Sequence, residues 1–204
     1  MSELTFEKFG KIGRLKRDCV ITEKIDGTNA QICFGADGDM LVGSRKRQIW
    51  TEGTDGKPKG CDNAGFAAWA YEHKTALFEF LGEGRHFGEW CGGKIQRGYG
   101  ISQKHFLLFN TSRFSSEDIP EDLASAGLGV VPVIFSGEFS TGVVDCAMED
   151  LEVRGSLFAK GFMNPEGVVV YHAGTGTYSK VTYDHDMTGK GENRQTDNIK
   201  EGKQ

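Results

Sequence analysis

The stretch Thr22-Glu-Lys-Ile-Asp-Gly-Thr-Asn-Ala30, TEKIDGTNA, decides how the rest of the chain is read. Asp26-Gly27 is a strong hairpin signal, and the segments on either side, CVITEK at 19–24 and AQICF at 30–34, flank it like two strands of one sheet. The simplest reading is a surface turn with a solvated lysine beside it. In a second reading Lys24, at the end of a strand, is aimed by a rigid sheet.

Working outward, ADGD at 36–39 turns the chain into a third strand, MLVGS at 40–44. Residues 51–63, TEGTDGKPKGCDN, are polar and glycine-rich and read as a mobile loop. In GFAAWAYEHKTALFEFLG, 65–82, Phe66, Trp69, Ala70, His73, Leu77 and Phe80 form one helical stripe with Gly82 as a stop, which predicts a single helix. RHFGEWCG at 85–92 reads as a strand, GGKIQRGYG as a flexible loop, and FLLFN at 106–110 and GVVPVIF at 129–135 as buried strands. SSEDIPEDLASAG at 115–127 opens with helix-capping residues, and a further helix is expected within 143–158. EGVVVYHAGTGTYSKVTY, 166–183, has the form of a hairpin, and 184–204 reads as a polar, poorly ordered tail. The pattern is α+β with mostly antiparallel sheets, in one domain.

Composition narrows the function. A net charge of −5 over 204 residues argues against binding polyanions through overall charge, so a nucleic-acid site would have to be local. The five cysteines form no C-x-x-C pair, and the N-terminus carries no apolar signal segment, which suggests reduced thiols in a cytoplasmic setting and no zinc. No apolar run approaches the roughly 20 residues of a membrane span.

A K-x-D-G match alone is weak. Here Glu23-Lys24-Ile25-Asp26-Gly27-Thr28-Asn29 is followed in order by Gly43-Ser44-Arg45, Phe87-Gly88-Glu89, Phe106-Leu107-Leu108-Phe109, Glu166-Gly167-Val168-Val169 and Lys180-Val181. In that order the chain resembles the covalent nucleotidyltransferases, the superfamily of ATP-dependent nucleic-acid ligases and mRNA-capping guanylyltransferases. The E-K-I-D-G-T-N form is most similar to the RNA-ligase branch represented by the second RNA ligase of phage T4 and its small phage and bacterial relatives. The resemblance covers about residues 6–183.

The resemblance implies a nucleotidyltransferase (adenylation) domain of antiparallel sheets with flanking helices. It implies an ATP-dependent ligase in which Lys24 attacks the α-phosphate, AMP passes to a 5′-phosphate, and a 3′-hydroxyl closes the phosphodiester on an RNA or other polynucleotide end. The attacking amine must be neutral, a form that partial burial and a nearby cation favour, and the charge developing on phosphate oxygens calls for Mg2+, with Mn2+ as a substitute. Glu23 would help recognise adenine through its side chain or neighbouring backbone, though it also reads as a strand-end surface charge. Asn29 would order phosphate or ribose, Arg45 would contact the nucleotide and the nucleic-acid end, and Glu89 would accept from the ribose hydroxyls. Phe109 would stack on adenine, Glu166 would coordinate the metal, and Lys180 would neutralise the α-phosphate.

The chain departs from the family in three places. The usual K-x-K around Lys180 is reduced to one lysine flanked by Tyr178 and Thr182, Asn110 stands where many relatives carry aspartate, and no OB-fold module is expected in the polar tail. GGKIQRGY with Arg45-Lys46-Arg47 and Lys57-Pro58-Lys59 is a candidate local strand-binding face, and scattered solvated charges would look the same. A DNA ligase, a capping-type guanylyltransferase and a non-catalytic nucleic-acid-binding relative are the alternatives.

Overall fold

The computed structural model describes residues 6–12, 17–50 and 62–184. Most of the loop expected at 51–63, Lys57-Pro58-Lys59, Cys61 and the tail from residue 185 lie outside the described residues. The chain runs β1 (Asp18–Lys24), β2 (Thr28–Phe34), β3 (Met40–Ser44), β4 (Gln48–Ile49), α1 (Phe66–Glu72), α2 (Lys74–Leu81), β5 (Gly84–Gly92), β6 (Lys104–Leu108), α3 (Glu121–Ser125), β7 (Leu128–Val130), β8 (Val133–Glu138), α4 (Thr141–Arg154), β9 (Gly167–His172) and β10 (Thr177–Thr182). Two sheets result, a four-stranded one ordered β10-β9-β1-β8 and a six-stranded one ordered β4-β3-β2-β5-β6-β7. All pairings are antiparallel except β6 with β7. The expected α+β class with mostly antiparallel sheets is therefore what the chain adopts.

The opening stretch does not form the hairpin its Asp-Gly suggests. β1 pairs with β8 and β9, whereas β2 pairs with β3 and β5, so Ile25–Gly27 carries the chain from one sheet to the other. The reason is packing rather than turn type. A Cβ on Gly27 would lie 2.5 Å from the Trp90 carbonyl oxygen and 2.9 Å from Cys91 Cβ, so only glycine lets the crossing lie against β5. A second crossing splits the strand expected at 129–135. Pro132 has no N–H to give a ladder, β7 ends before it in the six-stranded sheet, and β8 begins after it in the four-stranded one. The Pro132 carbonyl accepts from the Glu23 N–H at 2.9 Å, which places the two crossings side by side.

The helix expected at 65–82 is two. His73, at φ −102° and ψ 14°, breaks it. Its ring Nδ1 lies 2.8 Å from the Trp69 carbonyl that its own backbone N–H also reaches, a local competition that interrupts a regular helix. The capping-rich segment 115–127 yields only the short α3, entered through Pro120. The helix expected within 143–158 is α4, started by Ser140, whose hydroxyl accepts from the Val143 N–H at 3.2 Å.

Three apolar clusters follow from this topology. α1 and α2 cover the six-stranded sheet around Phe66, Trp69, Trp90 and Phe106, and α4 covers the four-stranded sheet around Ile21, Met148, Leu151 and Val168. The third, of Ile25, Cys91, Tyr99, Leu107, Val131 and Ala159, joins the sheets where the chain crosses between them. Burying side chains of this size is worth about 1.5–3 kcal/mol each, so the crossings are fixed as firmly as the sheets.

Candidate active site

A cavity of about 730 Å³ lies between the two sheets, beside that joint. Its walls come from alternate residues of β1 and from its neighbours on one side, Val20, Thr22, Lys24, Val169, Tyr171 and Tyr178, and from Asn29, Phe87, Glu89 and the 108–114 segment on the other. Period-two alternation explains the first wall. Cys19, Ile21 and Glu23 turn to the α4 side and are buried there, and Val20, Thr22 and Lys24 face the cavity.

Lys24 ends β1, and its Nζ makes a 2.6 Å ion pair with Glu166 Oε2, both side chains being about four-fifths buried. Glu166 reaches it because the next residue, Gly167, is the cross-strand partner of both Lys24 and Thr182. Gly167 has φ +147°, and a Cβ there would lie 2.1 Å from the Val181 carbonyl oxygen, so this register depends on glycine. Asn29, the second residue of β2, faces Glu89 as its Cα partner on β5. Phe109, half-buried just past the end of β6, lines the same cavity and packs on the joint cluster.

Glu89 is the most perturbed carboxylate bordering the cavity. Burial pushes its carboxyl up to about 7, against the pull of Lys24 and a hydrogen bond from the Gly27 N–H, and Glu166 and Asp26 push in the same direction as burial. A raised carboxyl costs the fold free energy once it ionises. The unfolded chain releases this proton near 4.5 and the folded one near 7, so the contribution to stability is lost as pH rises through that window. Glu89→Gln is therefore expected to stabilise the nucleotide-free protein at pH 8 by on the order of 1–3 kcal/mol and to change little at pH 4. Urea midpoints across pH 4–8 check this, and a difference that does not vary with pH contradicts it.

Two of the expected site residues, Glu23 and Arg45, and the loop GGKIQRGYG sit apart from this group. Glu23 is buried rather than a strand-end surface charge, and it belongs to the cavity lining. One oxygen of its carboxylate accepts from the N–H groups of Leu157 at 2.8 Å and Phe158 at 3.1 Å. Burial pushes that carboxyl up, opposed by the Ser156 hydroxyl and those two N–H groups. Arg45 is exposed, one step beyond the last β2–β3 pair, Ala30 with Ser44, and lies outside the cavity lining. Arg97 and Tyr99 of GGKIQRGYG form no free basic arm. Arg97 is held by Asp26 and Asp184, and Tyr99 is 2% exposed.

Lys180 pairs with Val169, which pairs with Thr22, so all three share the cavity face of the four-stranded sheet, with Lys180 exposed. The same face carries both residues that flank it. Tyr178 is 65% exposed at the cavity mouth with its ring 4.9 Å from that of Tyr171, and Thr182 is buried in register with Lys24. Asn110 borders the cavity, and its Oδ1 accepts from the Ser112 hydroxyl at 2.7 Å.

The lining suits a purine nucleotide, with apolar Val20, Val169, Leu108 and Phe109 for a base and Lys24, Asn29 and Glu89 for its polar groups. Among the described residues no three His, Cys, Asp or Glu side chains form a metal cage. A divalent cation here would be held by Glu166, with nucleotide phosphate oxygens and water completing its shell, as is usual for magnesium.

Among curated proteins, none matches the chain. Solved structures do. A Naegleria gruberi RNA ligase mutant with ATP and Mn matches at a TM-score of 0.55, with 18% identity over 81% of this chain and 50% of that one. A mutant of the same ligase with AMP and Mn gives 0.54, and an apo mutant 0.53, each with 18% identity over 81% of this chain and 49% of that one. The chain thus spans about half the length of these ligases, and at this identity the likeness is one of fold. The RNA ligase family model matches residues 17–182, from the start of β1 to the end of β10, and with that match across both sheets and the cavity between them, the chain belongs to the RNA ligase family.

Proposed function

We propose that the chain is the adenylating unit of an ATP-dependent RNA ligase, with Lys24 as the covalent nucleophile. The observation that carries this reading is the placement of Lys24 at the end of β1, 2.6 Å from Glu166, in a cavity shared with Asn29, Glu89 and Phe109. Lys24 Nζ, after losing a proton, forms a bond to the α-phosphorus of ATP as the bond to the bridging oxygen breaks and pyrophosphate leaves. Glu166 is within hydrogen-bond reach to accept that proton. The lysyl-AMP phosphoramidate then gives its AMP to the 5′-phosphate of an RNA end, regenerating the amine. A 3′-hydroxyl attacks the 5′-phosphorus, forms the phosphodiester and expels AMP.

All three steps displace an oxygen or nitrogen from phosphorus, so one set of positioned groups serves each. Phe109 stacks on the base, Glu89 and Asn29 hold ribose or phosphate oxygens, and Lys180 approaches the α-phosphate from the cavity face of β10. Mg2+ or Mn2+, when bound, neutralises charge developing on the phosphates. The test is incubation of the protein with α-labelled ATP or GTP and a divalent cation, mapping of the labelled residue, and a chase with 5′-phosphorylated RNA. Label on Lys24 from ATP, released to RNA in the chase, is expected. Absence of label from ATP, or label only from GTP, overturns the reading.

A further inference from the structure

Arg97 lies outside the motifs that carry the family resemblance, yet its guanidinium reaches three distant parts of the chain. Nε donates to Asp26 Oδ2 at 3.0 Å, Nη1 to the Asn164 carbonyl at 3.2 Å, and Nη2 to Asp184 Oδ2 at 2.6 Å. Asp26 is two residues after Lys24, Asn164 two before Glu166, and Asp184 two beyond Thr182 at the end of β10. One planar cation therefore ties together the segments that bear the lysine, its carboxylate partner and Lys180. Its side chain is 16% exposed, and that of Asp26 is 26% exposed.

The loop that presents Arg97 is built to hold it. Residues 92–101 fold back through hydrogen bonds from Gly93 N–H to Ile101 O at 2.9 Å and from Gly98 N–H to Ile95 O at 2.8 Å. Gln96 and Tyr99, on either side of Arg97, are non-glycine residues at φ +46° and +54°, a conformation that surrounding structure must enforce. Tyr99 supplies that enforcement. Its ring packs on Phe158 and Phe162 with centroids 5.4 and 4.9 Å away, and its hydroxyl accepts from the Asp26 N–H at 2.7 Å. Asp26 is thus fixed at its backbone by Tyr99 and at its side chain by Arg97, both from one loop.

We infer that Arg97 is a positioning residue for nucleotidyl transfer. By clasping Asp26, the Asn164 carbonyl and Asp184 at once, it sets where Lys24 stands relative to Glu166 and Lys180. Guanidinium is the group this geometry requires, because three acceptors lie along a planar fork, and a lysine ammonium offers no such fork. With its donors already engaged by two carboxylates, Arg97 is not a strand-binding cation. Misplacing reacting groups by about 1 Å can cost 10²-fold in rate, so loosening this clasp acts on chemistry before it acts on binding.

The inference rests on Lys24 adenylylation, and the test separates the two. Wild type, Arg97→Lys, Arg97→Ala and Asp184→Asn are compared in single-turnover labelling with α-labelled ATP, with thermal melting and RNA-binding salt dependence measured alongside. If wild type takes no label, the function fails, and the positioning role fails with it. If wild type labels, Arg97→Lys is expected to cut the rate at saturating ATP by about 10- to 100-fold, with the ATP concentration for half-maximal rate within about twofold and an unchanged salt slope. Asp184→Asn, which removes one arm of the clasp at a largely exposed residue, is expected to show a smaller loss of the same kind. It decides the matter if the Arg97 variants do not fold. Rates within twofold of wild type in every folded variant, or a loss confined to ATP affinity or RNA binding, overturn the inference.

Discussion

Lys24→Ala and Lys24→Arg are both expected to take no label from α-labelled ATP, at any pH and with either Mg2+ or Mn2+. The two variants fail for different reasons, and together they separate chemistry from folding. Alanine removes the amine and leaves Glu166, a carboxylate whose side chain is 18% exposed, without its partner at 2.6 Å. Stranding a buried charge in this way destabilises a protein by about 3–5 kcal/mol when burial is complete, and by less here because water still reaches the pair. Arginine keeps a positive charge beside Glu166 and so keeps most of that stability. A guanidinium is not deprotonated in proteins and cannot serve as the nucleophile. The expected pattern is a lowered melting temperature for alanine, a near-native one for arginine, and no covalent adenylate in either. Pre-adenylated RNA separates the steps further, because sealing it needs the cavity but not the lysyl-AMP. Residual sealing by Lys24→Arg would place the whole defect in the first step. Label on Lys24→Arg at the wild-type yield would show that another residue is the nucleophile.

How far the site could be read from the sequence depends on the range over which each feature acts. The alternation in CVITEK is local, and it correctly sends Lys24 to the opposite face of β1 from Ile21. The burial of Glu23, by contrast, was not legible as such, because the N–H groups that its carboxylate meets belong to Leu157 and Phe158, far along the chain. Gly27 misleads in the other direction. Asp-Gly is a hairpin signal when read alone, and the requirement it meets, a 2.5 Å approach to the Trp90 carbonyl, comes from a strand more than sixty residues later. Pro132 was read through as part of one strand at 129–135, and the switch between sheets that it marks depends on which edge each half finds. Arg97 was least legible of all, because its carboxylates lie 71 and 87 positions away in the chain. In sequence it is one basic residue in a glycine-rich loop, and the positive φ of Gln96 and Tyr99 that marks the loop as built leaves no trace in residue type. Lys180 was identified by resemblance, and its position on the cavity face follows only once the β9–β10 register is known.

Glu166→Ala and Lys180→Ala are each expected to slow single-turnover adenylylation by about 10²–10³-fold, the usual cost of one charged contact made as phosphorus is attacked. The two residues sit differently, so the losses should differ in character. Glu166 is largely buried and bonded to the nucleophile before any nucleotide arrives, so its removal affects both the proton on Lys24 and the hold on a divalent cation. Glu166→Gln, which keeps the shape and loses the charge, should therefore be nearly as slow as alanine and should need more metal to reach its maximal rate. Lys180 is exposed on edge strand β10 and has work to do only when a phosphate stands over it. Its alanine variant should melt like wild type, show an unchanged metal requirement, and recover part of its rate as Lys180→Arg, because Tyr178 and Thr182, the residues that flank it on this face of β10, carry no charge to replace it. The test is the rate of label transfer at saturating ATP across a metal titration, with melting temperatures in parallel. Rates within threefold of wild type for both alanine variants would mean that the phosphate lies elsewhere in the cavity, toward Arg85 and Arg113 on the opposite wall, and that β10 only frames the site.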